Sequence, residues 1–348
     1  MAAVAPYPDE HLKVIKQIGV DHVVYYDMKT MPVDYDDLRA AVRRLAEAGL
    51  TMAVVECGPP IDRIVMGKEG RDGQIRAFET ALANMGRLGV EVLCYNFMPQ
   101  VLADAMVVRT TDAALARGGA ATTAFRAADL TDATVPHDET PIAIEAMWDN
   151  LEYFLRRVIP VAEAAGVKLA MHPDDPPLSP ICRLHRIMTS VEAFDRLIAL
   201  SPSEVNGIAL CTGCFLEMGA DLPTVAERYR GRIHHMHYRD VAGAPTDFVE
   251  TFPDDGPTDF VPLFETLRRT GCDSPIRIDH VPRLALEAGP NDGYGFLGHI
   301  FATGYLRGML DAIDGKPGLP RWRDVPPAAR AAAYQADRLP PPIRGQLR

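Results

Sequence analysis

LEYFLRRVIPVAEAAGVKLAMHPDDPP, residues 151–177, decides the fold. Leu151, Phe154, Leu155 and Val158 recur at helical spacing, so one face of a helix is apolar. Gly166 is placed to end it, since glycine readily takes the left-handed conformation of a helix C-cap. The apolar run KLAM (168–171) begins almost at once, and where it stops the chain places His172, Asp174, Asp175 and three prolines. A helix feeding straight into a buried strand is the repeating unit of a parallel α/β sheet.

The same unit recurs on both sides. DHVVYY (21–26) precedes DYDDLRAAVRRLAEAG (34–49), where Leu38, Val42 and Leu45 share a helix face and Gly49 closes it. MAVVEC (52–57) precedes a helix carrying Ile75, Phe78, Leu82 and Met85 and ending at Gly89, and EVLCYNF (91–97) follows. Further along, SVEAFDRLIAL leads to GIALCTG, DLPTVAERYRG to IHHMHYRD, and FVPLFETLRRTG to IRIDHV, before a last long helix near residues 293–313. That makes seven clear strands, and AAVAPYP (2–8) supplies a short eighth whose two prolines weaken it. Eight alternating units predict a single-domain α/β fold, a (β/α)8 TIM barrel over residues 1–314. An open doubly wound sheet would need a Gly-rich phosphate loop after its first strand, and there is none.

Residues 100–140, rich in Ala, Thr and Asp without a sustained period, are predicted as an insertion after the fourth strand, placed to act as a lid or a plain loop. Residues 315–348 form a Pro/Arg-rich C-terminal extension expected to wrap a surface or a neighbouring subunit, so a homo-oligomer is expected.

The 348 residues are 47% hydrophobic and carry a formal charge of -11, with no long basic run, which argues against nucleic acid as a partner. No apolar run has the length of a bilayer span and no signal peptide opens the chain, so a cytoplasmic protein with no membrane partner is expected. The six cysteines are scattered and expected to be reduced.

Four residues stand at or near the ends of consecutive strands: His172 after KLAM, Cys211 after GIAL, His237 after IHHM and Asp279 after IRI. In a parallel barrel these ends converge on one mouth. Imidazole, thiolate and carboxylate are ligand types for a divalent transition metal, although any one of them taken singly is more often a core residue. Cys211 and Cys214 form a C-x-x-C, but a zinc ribbon needs a second pair, so Cys214 reads as structural. Strand parity puts His235 and His237 on one face and His234 on the other; His237 lies nearer the strand end.

HPDDPP (172–177), CYNFMP (94–99), NGIALCTG (206–213), RIHHMHYRD (232–240), RIDH (277–280) and GY (293–294) together resemble the mannonate dehydratase family of the xylose-isomerase-like TIM barrels, over about residues 9–312. The resemblance implies a Mn2+-dependent hydro-lyase that removes water from D-mannonate, a small sugar acid, to give 2-keto-3-deoxy-D-gluconate. It implies His172, Cys211, His237 and Asp279 as metal ligands and Arg277, His280 and Tyr294 at the substrate. His280 and Tyr294 are then the proton-transfer candidates, in either order, and Arg277 would grip the substrate carboxylate. Asp174, Asp175 and Asn96 are expected to contact substrate hydroxyls or to orient ligands. Donor softness alone would favour Zn2+ or Fe2+ over Mn2+. The chain departs from the family pattern at the mouth: DHVPRL (279–284) replaces a DHG segment, and Pro253 stands where a His is expected after Phe248 and Glu250. Two other readings are a metal-dependent sugar or sugar-acid isomerase or epimerase with the same ligands, and a non-catalytic sugar-binding barrel.

Overall fold

The computed structural model describes residues 2–3, 7–26, 33–99, 107–130, 140–287 and 293–315. The chain divides into two compact units, Met1–Tyr305 and Leu306–Arg348. Of the second, only the end of the last helix, up to Gly315, is described; the expected C-terminal extension beyond it, and residues 100–106 and 131–139 of the expected insertion, lie outside the described residues.

In the first unit β1 (Ala2–Ala3), β2 (His22–Tyr26), β3 (Thr51–Glu56), β4 (Val92–Tyr95), β7 (Lys168–Met171), β8 (Asn206–Cys211), β9 (Ile233–Tyr238) and β12 (Ile276–Ile278) form one parallel sheet in that order. β1 and β12, the two edges, approach each other, so the sheet curls into the expected barrel. The first strand is shorter than AAVAPYP, with two paired residues. Val24, Val54, Val92, Cys94, Ala170 and Ala209, from five adjacent strands, cluster as one buried layer of small side chains.

The helices follow the apolar patterns. α1 (Asp9–Gln17) and α2 (Tyr35–Glu47) bury Leu12, Ile15, Leu38 and Leu45. After the short α3 (Asp62–Val65), α4 (Arg71–Leu88) buries Ile75, Phe78, Leu82 and Met85 and ends at Gly89 in the left-handed region. α5 (Ile144–Ala165) ends at Gly166 in the same way. α4 and α5 pack so closely at Gly86 that a Cβ there would lie 2.4 Å from the Ala165 carbonyl oxygen. α6 (Val191–Leu200), α7 (Thr212–Glu217), α8 (Leu222–Arg228) and α9 (Val261–Thr270) follow, and α10 (Phe296–Ile313) is the last helix among the described residues. No helix among the described residues is long and apolar enough to cross a membrane. All six cysteines are free thiols.

The segment expected to lack periodicity contains a hairpin. β5 (Thr111–Leu115) and β6 (Ala121–Arg126) pair antiparallel and join β10 (Asp240–Ala244) and β11 (Asp247–Thr251) in a second sheet, ordered β10-β11-β6-β5. Its core is Val108, Phe125, Ile181, Val241 and Phe248, with the Phe125 and Phe248 rings stacked 5.7 Å apart. Only Arg239 separates β9 from β10, so the chain steps from barrel to small sheet at the rim itself.

Candidate active site

Parallel register brings the strand ends together. Cys211 of β8 pairs with His237 of β9, and His237 with Arg277 of β12; His172 and Asp279 follow the last residues of β7 and β12. His172 Nε2 lies 3.0 Å from His237 Nδ1, Cys211 Sγ lies 3.7 Å from Asp279 Oδ2, and His237 Nδ1 lies 3.9 Å from Asp279 Oδ2. Cys211, His237 and Asp279 offer donor atoms all within 4.8 Å of one another, as do His172, Cys211 and Cys214. His172, His237 and Asp279 line a small cleft of about 40 Å³, which Asn96, Asp175, Arg277, His280 and Tyr294 also line; Cys211 is buried beside it, against Asp279.

The donor set suits a divalent ion. Atoms bonded to one ion at roughly 2.0–2.3 Å are separated by roughly 3–4 Å, the spacing seen here. Burial pushes the Cys211 thiol up, but Cys214, the Arg239 charge and the two imidazoles outweigh it and hold Cys211 well below its ordinary value. Burial likewise opposes ionisation of Asp279, and Arg277, His280 and His237 overcome it, keeping the carboxyl ionised. Thiolate, carboxylate and two imidazoles are therefore gathered in a buried place where their charge invites a cation.

Beside this corner runs a hydrogen-bonded chain. His280 Nε2 is 3.1 Å from the Tyr294 hydroxyl, which is 3.3 Å from Asp279 Oδ1. His280 Nδ1 is 3.1 Å from Glu250 Oε1. Burial and the charge of Asp279 push the Tyr294 hydroxyl well above its ordinary value, so it is a protonated donor. Arg277 is buried with its fork closed on Glu56, Nε and Nη2 each 2.7 Å from a carboxylate oxygen, while Nη1 lies 3.1 Å from Asp279. The fork expected to be open for a substrate carboxylate is occupied by Glu56, because a buried guanidinium requires a counter-charge.

The two aspartates of HPDDPP part ways. Asp175 Oδ1 and Oδ2 accept from Arg109 at 2.7 and 3.0 Å, and Oδ2 accepts from Arg239 at 2.6 Å. Asp174 is buried and is not among the residues lining the cleft: its Oδ2 accepts from Met188 N at 2.7 Å, and burial raises its carboxyl to about 6. Asn96 Oδ1 accepts from Met98 N at 3.2 Å. His234 and His235 bond the Glu204 and Pro275 carbonyls, at 2.9 and 2.8 Å, and burial lowers both rings to about 4. Cys214 packs beside Cys211 with its thiol raised by burial and by that neighbour.

Four charged residues of the site receive no role from the sequence alone. Glu56 ends β3 by the same strand-end rule that selects Cys211. Arg239 follows the His237 strand directly; it is fully buried and ion-pairs with Asp175, Glu217 and Glu250. Arg109, two residues before β5, and Glu250, on β11, are paired with each other at 2.6 Å, and the tertiary pairing of β6 with β11 brings them near the rim.

Comparison with known proteins places this geometry in a family. The family model described as D-mannonate dehydratase (UxuA) matches residues 8–140 and 137–317. A mannonate dehydratase of Streptococcus equi subsp. zooepidemicus is 32% identical over 301 residues, covering 78% of this chain and 80% of its own. The crystal structure of mannonate dehydratase from Streptococcus suis serotype 2 superposes with a TM-score of 0.80 at 31% identity, covering 90% of this chain and 93% of that one. A D-psicose 3-epimerase from Clostridium cellulolyticum H10 shares the fold alone, with a TM-score of 0.59 at 13% identity over 88% of this chain and 95% of that one. The chain belongs to the D-mannonate dehydratase family, whose members are lyases of the hydro-lyase class.

Proposed function

We propose that this cleft dehydrates D-mannonate to 2-keto-3-deoxy-D-gluconate and water with the help of a divalent metal ion held by His172, Cys211, His237 and Asp279. The convergence of these four side chains at one corner of the barrel mouth, in a chain of this family, carries the reading. We take the ion to be Mn2+ by resemblance, although the thiolate and imidazoles also suit Fe2+ or Zn2+. When bound, it supplies the positive charge that draws electron density from the substrate carboxylate and so acidifies the adjacent C–H.

The chain supplies the proton traffic. His280 and Tyr294, 3.1 Å apart on the cleft wall, are assigned to removing the proton beside the carboxylate and protonating the departing hydroxyl. Arg277, with its fork on Glu56, is assigned to holding Asp279 and Tyr294 in place and giving that wall positive charge. Asp175 and Asn96 line the cleft and are assigned to the sugar hydroxyls, Asp175 with its carboxylate fixed by two arginines. Cytoplasmic action as a homo-oligomer belongs to the same reading, and fractionation with sedimentation checks it.

The test strips the protein of divalent metal with a chelator, restores Mn2+, Fe2+ or Zn2+ singly, and assays a panel of aldonates for a 2-keto-3-deoxy acid. Activity on D-mannonate that disappears on stripping and returns with one metal is expected. A product retaining every hydroxyl would favour isomerisation or epimerisation instead, and no product from any aldonate would defeat the enzymatic assignment.

A further inference from the structure

The hydrogen count around Arg109 decides whether His280 Nδ1 carries hydrogen. Arg109 Nε donates to Glu250 Oε1 at 3.1 Å. Its Nη1 donates to the Val108 carbonyl at 3.0 Å and to Asp175 Oδ1 at 2.7 Å. Its Nη2 donates to Asp175 Oδ2 at 3.0 Å and to Glu250 Oε1 at 2.6 Å. All five guanidinium hydrogens are thereby used. His280 Nδ1, although 3.2 Å from Nη2, has no arginine hydrogen left to accept. Its remaining neighbour is Glu250 Oε1 at 3.1 Å, which is an acceptor. A bare nitrogen there would set two lone pairs against each other, so Nδ1 must carry the hydrogen.

We infer that Glu250 is a positioning residue: its carboxylate, aimed by Arg109, holds His280 with hydrogen on Nδ1 and turns Nε2 toward Tyr294 and the substrate. The inference rests on the assignment of His280 to proton transfer. It identifies Nε2 as the atom that exchanges a proton and places the orienting group outside the barrel, on β11 of the small sheet. A base oriented by a third group is a general device of proton-transfer sites, because the wrong tautomer presents N–H where a lone pair is needed.

The test has two readouts on the full-length protein. Histidine-selective nitrogen-15 NMR, with the His280 ring assigned by its loss in His280→Gln, reports which ring nitrogen carries hydrogen, with or without added Zn2+. A protonated Nδ1 supports the inference and a bare Nδ1 overturns it, whatever the activity. Steady-state kinetics of Glu250→Gln on D-mannonate should then show kcat lowered by at least about tenfold with KM changed far less, since the ring loses its fixed orientation while the cleft keeps its shape. A kcat within about twofold of wild type would overturn the positioning role, as would a loss matched by unfolding with the ring signal unchanged. Should the wild-type protein release no 2-keto-3-deoxy acid, the dehydratase assignment fails while the ring measurement still decides the tautomer.

Discussion

Replacing Gly213 with alanine tests whether the buried arginine at the rim is as fixed as its partners imply. Gly213 lies in α7, two residues after Cys211, and a Cβ there would sit 2.0 Å from Arg239 Nε, 2.7 Å from Cζ and 2.8 Å from Nη2. An ordinary arginine would swing aside at little cost. Arg239 cannot, because Asp175 takes Nη1 at 2.6 Å, Glu217 takes Nη2, and Glu250 lies 3.4 Å from Nε, all of them buried. Relieving the clash needs a retreat of more than about 1 Å, which sacrifices at least one of these pairs in addition to the overpacking itself; the cost should be about 3 kcal/mol. Urea unfolding followed by circular dichroism, with and without Mn2+, would show the midpoint fall in Gly213→Ala. The control is Gly304→Ala in α10, where a Cβ meets nothing within 4 Å and alanine should stabilise by up to about 1 kcal/mol. Opposite signs for the two substitutions are expected. A Gly213→Ala protein as stable as wild type would refute the idea that the charge network pins Arg239.

Three further outcomes follow from the geometry. Gly86→Ala should cost about 2 kcal/mol by forcing α4 from the Ala165 backbone of α5, read as a lower unfolding midpoint with the site's metal affinity unchanged. Glu56→Gln strips Arg277 of its fork partner in a buried place and should cost about 3 kcal/mol as well as most of the activity, measured by the same unfolding assay and by kcat. His234 and His299 are held by burial at about 4, below the ordinary 6.5, so the unfolded chain binds more protons between those values. Their contribution is therefore intact above pH about 6.5, is lost as the pH falls toward 4, and amounts to roughly 3 kcal/mol each; His234→Gln, which can still donate to the Glu204 carbonyl, should flatten that slope, and an unchanged slope would contradict the assignment.

The barrel was legible because its signals are local. Leu151, Phe154, Leu155 and Val158 mark a helix face without reference to anything distant, and Gly166 marks its end. The strand-end residues were legible for a related reason: parallel strands all run out at the same rim, so His172, Cys211, His237 and Asp279 meet without any knowledge of side-chain packing. Glu56 obeys the same rule and was hidden only by its place in an apolar run. Arg109 and Glu250 are different. Their approach depends on antiparallel pairing between segments more than a hundred residues apart, and β5 is exposed along most of its length, so the apolar alternation that would announce a strand is absent.

The small sheet has an evolutionary implication. Phe248 and Glu250 share the buried face of β11, in register with Phe125 and Val241 on the strands beside it. A slip of one residue would send both side chains to the opposite face. Insertions and deletions in β10 or β11 should consequently be filtered almost as stringently as changes to the barrel mouth itself, while the connecting turns remain free to drift. A peripheral hairpin of this kind would carry the mutational signature of a catalytic element.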